Sequence, residues 1–155
     1  MESEKKFEVV SLAKLSWPQG LEVRSRKFRM FVAADTTDLE TKAISDFARE
    51  ALNRGMVYLC AWGPGCERFH DILDEVVIED DLNERKFAGP SLTDAIMTTW
   101  HSNESLAEAI DSFATCAMPT DGFAPDSDFR LLVCVGNIRW TTEAEKYLHS
   151  ARFLI

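Results

Sequence analysis

The sequence predicts an α/β fold: one open, mostly parallel sheet between two layers of helices, of the Rossmann-like or flavodoxin-like kind. Three observations carry this. Short apolar runs without in/out alternation read as strands buried on both faces. Helical stretches of about 10–18 residues lie between them, long enough for the crossovers that parallel strands need. Turn and cap residues stand at the junctions, so the order from residue 28 onward reads β-α-β-α-β-α-β-α. Right-handed crossovers then leave few topologies.

Phe28–Ala34 (FRMFVAA) is the first of four core strands and ends at Asp35. Thr37 and Glu40 have the spacing of a capping box, which places a helix start at Thr36-Thr37-Asp38. Leu39, Ala43, Ile44, Phe47, Ala48, Ala51 and Leu52 form its apolar stripe, and Gly55 stands where a left-handed cap belongs. Met56–Trp62 (MVYLCAW) is the second strand. Gly63-Pro64-Gly65 breaks it, and Cys66, Phe69, Leu73 and Val76 mark a shorter helix. Ala95–Trp100 (AIMTTW) is the third strand, after which Ser102 or Asn103 caps a helix carrying Leu106, Ala109, Ile110, Phe113 and Ala117. Pro119 ends that helix, and a polar loop through Ser127 leads to the fourth strand, Phe129–Val135 (FRLLVCV). Gly136-Asn137 closes it. Thr142 and Glu145 form a second capping box, for a terminal helix with Ala144, Tyr147, Leu148 and Ala151. Upstream, Phe7–Leu12 is a candidate edge strand and Trp17-Pro18-Gln19-Gly20 a turn. No linker or repeat divides the chain, so one domain is expected over residues 1–155, with 1–27 as an N-terminal extension.

The 155 residues carry 26 Asp+Glu against 17 Lys+Arg, a formal net charge of −9. Such a chain repels phosphate backbones, so nucleic acid is not an expected partner. The longest apolar runs, Met56–Trp62 and Leu131–Val135, are far short of a bilayer span, and the charged start Met1-Glu-Ser-Glu-Lys-Lys lacks a signal-peptide core. Neither membrane insertion nor export is expected. Cys60, Cys116 and Cys134 lie in apolar strand or helix runs and read as small buried hydrophobes. There is no C-x-x-C pair, so the expectation is a reduced, cytoplasmic protein without structural zinc.

Open parallel sheets bind ligands beyond the carboxyl ends of their strands, near the topological switch point. Those ends read Asp35-Thr36-Thr37, Trp62-Gly63-Pro64-Gly65, Trp100-His101-Ser102 and Gly136-Asn137. The ligand rim is therefore expected at Thr36, Thr37, Trp62, Trp100 and Asn137, although caps and turns use the same residue types. Dinucleotide binding is disfavoured: no glycine follows the first strand, two aspartates would repel phosphate, and Pro64 removes a donor. No cofactor is expected. The catalytic candidates are Asp35, Cys66 and His101. Cys66 stands at a helix start, where the macrodipole lowers a thiol pKa; His101 would act as base, with Asp35 orienting it. His70 follows Cys66 by one helical turn, with Glu67 beside them, but no third ligand completes a metal site. Asp35 and Asp38 could hold magnesium for phosphoryl chemistry, but no lysine falls between Lys42 and Lys86, or from there to Lys146, to serve near another strand end.

The stretch from Asp74 to Glu84 (DEVVIEDDLNE) sets six carboxylates, Asp74, Glu75, Glu79, Asp80, Asp81 and Glu84, around Val76-Val77-Ile78. A helix end and solvated loop is one reading of it; an acidic docking surface with apolar anchors is the other. Arg24, Arg26, Lys27 and Arg29 cluster before and within the first core strand, to pair with that segment or to form a second surface. The leading functional expectation is a non-enzymatic, cytoplasmic binding or regulatory protein with a basic protein partner, of the inhibitor or immunity kind. The rival is a small enzyme or small-molecule sensor working at the strand-end rim.

Three stretches carry a resemblance. They are Phe31-Val-Ala-Ala-Asp-Thr-Thr37, Gly55-Met-Val-Tyr-Leu-Cys-Ala-Trp-Gly63 with Cys66-Glu-Arg-Phe-His-Asp71, and Met97-Thr-Thr-Trp-His101 before Glu104-Ser-Leu-Ala-Glu-Ala109. Together they resemble a small bacterial domain family of unknown function over roughly residues 28–137, most distinctively at Ala61-Trp-Gly63 and Thr98-Thr-Trp-His101. The resemblance implies a bacterial source and a stand-alone domain; it names no catalytic residue.

Overall fold

Three of the four apolar runs, around Phe28–Ala33, Met56–Trp62 and Arg130–Val135, become the centre of a sheet because their side chains are buried on both faces, while the third in chain order, Met97–His101, is only partly buried and forms an edge of it rather than a core strand. In the computed structural model, which describes residues 6–88, 96–117, 119 and 127–150 (backbone alone at 80–88 and 116), they form a five-stranded, all-parallel sheet. In chain order the strands are β1 (Phe7–Leu12), β2 (Phe28–Ala33), β3 (Met56–Trp62), β4 (Met97–His101) and β5 (Arg130–Val135), arranged β1-β5-β2-β3-β4. The N-terminal edge strand exists: β1 lies along β5, with Phe7 beside Arg130 and Leu12 beside Val135. The helices are α1 (Thr41–Asn53), α2 (Cys66–Ala88), α3 (Leu106–Cys116) and α4 (Ile138–Leu148).

Side-chain alternation divides the interior into two layers. Met30, Val32, Leu59, Ala61, Leu131 and Val133 face α1 and α2, against Ile44, Phe47, Phe69 and Leu73. Phe31, Ala33, Tyr58, Cys60, Leu132 and Cys134 face α3 and α4, against Ile110, Phe113 and Ala144. This is the three-layer α/β architecture the periodicity predicts. The chain between β1 and β2 closes the first layer through Leu15 and Trp17, whose ring lies 5.9 Å from that of Phe47. Among the described residues no helix is long and apolar enough to cross a membrane.

Four local expectations are corrected. The Thr37–Glu40 capping box does not form, because Asp35 Oδ1 accepts from the Thr37 N–H at 3.1 Å and its hydroxyl at 2.6 Å. That turn delays α1 to Thr41, behind an N-cap Glu40 whose side chain makes no capping bond. Ser105, rather than Ser102 or Asn103, caps α3 by accepting from Glu108 N–H. Asn137 caps α4 through Arg139 N–H, so Thr142 lies inside the helix and donates to the Ile138 carbonyl. The largest difference is α2, which runs for 23 residues through the whole acidic stretch. No glycine or proline interrupts residues 66–88, and carboxylates on a solvent face do not stop a helix. Ala95 and Ala151 lie outside the described residues, as does the Cys116 side chain.

Candidate functional site

The helices change face between β2 and β5: α1 follows β2 into one layer and α4 follows β5 into the other. An open cleft of about 480 Å³ lies at the ends of β3 and β4, lined among others by Trp62, Gly63, Cys66, Glu67, His101 and Glu104. The strand that ends in Gly63-Pro64-Gly65 turns into α2 here, and β4 turns through Asn103, in a left-handed conformation, towards α3.

Of the catalytic candidates, this geometry gathers Cys66 and His101 and leaves Asp35 out. Asp35 is exposed at the end of β2, and the hydrogen bonds from the Thr37 hydroxyl and N–H hold its carboxyl below the ordinary range. The partner of His101 is Glu104, with Nδ1 2.9 Å from Oε2. The Glu104 carbonyl also accepts from Trp62 Nε1 at 2.9 Å, which fixes that wall of the cleft. Only the spacing His101-x-x-Glu104, in a loop after a strand, could have pointed to this pair.

Cys66 is only 3 % exposed, and burial pushes its thiol above the ordinary value despite N–H donors from His101 and Glu67. The expected lowering by the helix start does not prevail, since desolvation penalises the thiolate more than those dipoles favour it. Iodoacetamide at pH 7.5 is therefore expected to leave Cys66 unmodified in the native protein while labelling it in denaturant, as read by peptide mass mapping. Rapid native labelling would contradict this burial.

The rim residues separate by role. Thr36 is buried; its N–H donates to the Pro64 carbonyl and its hydroxyl to that of Gly65, tying the β2 end to the β3 end. Thr37 completes the Asp35 turn and Asn137 caps α4. Trp62 is half-buried, edge-on to Trp140 at 5.2 Å. Trp100 points to the other face of the sheet, 41 % exposed, with its ring 4.4 Å from that of His70. The two tryptophans therefore leave the cleft open.

His70 is held against Trp100 by Asp71 (3.2 Å) and Asp74 (3.4 Å), and no three metal-ligating side chains converge among the described residues. Asp74 also accepts from the Thr98 hydroxyl at 2.7 Å, binding α2 to the edge strand. Beyond this contact lies a second candidate surface. Glu67, Asp71, Asp74 and Ile78 follow the i, i+4, i+7, i+11 spacing of one helix face. Ile78 is 59 % exposed on it, with Glu75 and Glu79 beside it. The helix thus splits the apolar trio: Val76 is buried, Val77 half-buried and Ile78 in solvent. Of the predicted partner residues, Asp74, Glu75 and Glu79 stand on α2 at this surface, and the side chains of Asp80, Asp81 and Glu84 lie outside the described residues. Arg49 of α1 reaches this segment, pairing with Glu79 at 2.7 Å. Arg29 is buried beneath the opposite layer.

Residues 7–151 match the family model described as a domain of unknown function (DUF7684), and the chain belongs to that family. No curated protein and no solved structure matches it.

Proposed function

We propose that this member of the DUF7684 family is a cytoplasmic binding or regulatory protein whose outer α2 face docks a basic protein partner. The observation that carries the reading is Ile78, exposed in the middle of a carboxylate face on the helix whose His70 packs against the exposed Trp100 at the sheet edge. Solvent-exposed apolar anchors ringed by one sign of charge are what a charge-steered interface uses: the charges speed encounter and the anchors hold the complex. The net charge of −9 adds to the same field. Buried free thiols at Cys60, Cys66 and Cys134 suit a reducing compartment.

The test is affinity capture from the native host with immobilised wild type and with the double variant Glu75→Lys, Ile78→Asp. Both positions are exposed, so the fold should tolerate the change. A basic protein retained at low salt by the wild type, and at least about tenfold less by the variant, is the expected result (about 1.4 kcal/mol). Equal retention of every captured protein by the two would defeat the reading. The rival ligand-cleft reading draws on one observation, the open cleft with its His101–Glu104 pair. Small-molecule thermal shifts present in the wild type and absent in Glu104→Gln would favour it instead.

A further inference from the structure

Among the described residues, the edge of the sheet beside the acidic helix has no pairing strand. β4 pairs with β3 on one side, from Tyr58 beside Met97 to Trp62 beside His101. It is the last strand of the sheet, and among the described residues its outer edge makes no backbone hydrogen bond. Edge strands are normally protected from pairing by lysine, proline, a bulge or a covering element. Met97–His101 (MTTWH) has no lysine, no proline and no bulge against β3. It exposes Met97 and Trp100 instead, both about two-fifths accessible.

We infer that β4 accepts an extended segment of the basic partner as a sixth strand, a mode of recognition that rests on the docking reading above. The backbone of the added strand would satisfy the open edge, and its alternate side chains would face α2. What they meet there decides the chemistry. Thr98 and Trp100 line that side of β4, below His70 and Asp74 of α2, with Asp71 and Ile78 further out on the same helix. Lysine or arginine at every second position would reach Asp71 and Asp74, and their aliphatic stems would cover Trp100. A second copy of this chain fits poorly, because edge-to-edge pairing would bring two acidic α2 faces together at a net charge of −9 per chain.

The probe is a synthetic heptapeptide alternating lysine and valine, with two versions N-methylated at complementary sets of alternate amides. Binding is read by amide exchange and chemical shifts of the full chain at low salt. The expected result is slower exchange of amides in 97–101 with the parent peptide. One N-methylated version should lose at least about tenfold in affinity while the other keeps it, since only alternate amides of an added strand face β4. Equal affinity of the two versions, strong or weak, overturns strand addition. If shifts then remain on the α2 face, the docking reading stands without it. If the parent peptide perturbs neither α2 nor β4, both fall.

Discussion

Alanine at position 63 is expected to lower stability by about 4 kcal/mol, which for a chain of this size moves the thermal midpoint down by roughly 8–16 °C. Two independent costs add. Gly63 has φ +113°, a backbone conformation that a side chain makes unfavourable by about 1–3 kcal/mol. A Cβ there would also stand 2.3 Å from the Ala34 carbonyl oxygen. That peptide cannot retreat freely, because Ala34 N–H is bonded to the Trp62 carbonyl and Thr36 N–H to that of Pro64. Forcing the two strand ends apart resembles overpacking a core, at about 1–3 kcal/mol more. Gly20→Ala separates the two terms. Gly20 has φ +92° with nothing within 4 Å of an added Cβ, so it should show the conformational cost alone. Thermal unfolding of both variants checks the difference; equal losses would mean that the β2–β3 rim yields easily. Gly63 also lines the cleft, so the same variant should shift the amide resonances of Glu67 and His101.

The legibility of this fold follows from where its energy lies. Strands buried on both faces announce themselves as unbroken apolar runs, so Phe28–Ala33, Met56–Trp62 and Arg130–Val135 were readable nearly to their ends. Caps were less readable, because several hydroxyls and amides near each junction could serve. Asp35 took the Thr37 donors that the capping box needed, and Asn137 intervened five residues ahead of Thr142. The length of α2 was hidden for another reason. A run of carboxylates looks like a loop in composition, while its helical spacing appears only when Phe69, Leu73 and Val76 are followed on to Ile78 as a change of face. Of the candidate cleft, the ends of β3 and β4 with Trp62, Cys66 and His101 were among the strand ends the sequence singled out. The sequence did not yield Glu104, because the bond to His101 depends on the left-handed turn at Asn103. Nor could residue types reveal that Trp62 and Trp100 face opposite layers, which depends on strand register.

Replacing Arg29 by methionine is expected to cost about 3 kcal/mol, even though it removes a buried charge and leaves an apolar side chain of similar length. Arg29 is 4 % exposed, within β2 on the face towards α3. Its Nη1 donates to the Ala117 carbonyl at 2.8 Å and its Nε to the Ser127 carbonyl at 2.9 Å. One planar side chain therefore caps the C-terminal end of α3 and anchors the chain entering β5, two points ten residues apart in sequence. Burial lowers the Arg29 pKa, and Arg130 adds to that, but a guanidinium titrates so far above neutrality that it stays charged. Methionine can donate to neither carbonyl, and each buried acceptor left unpaired costs about 1–3 kcal/mol. Apolar gain offsets part of this, since a buried charge is itself expensive. Lysine should rescue less than half of the loss, because a single ammonium lacks the fork that reaches two carbonyls at once. Arg24→Met is the matched control: its guanidinium lies 5.1 Å from the Phe129 ring on an exposed residue, where the loss should stay below about 1 kcal/mol. Chemical denaturation of the three variants decides the case. If Arg29→Met unfolds no earlier than Arg24→Met, the two carbonyls have found other donors, and Arg29 is not what holds α3 to the entrance of β5.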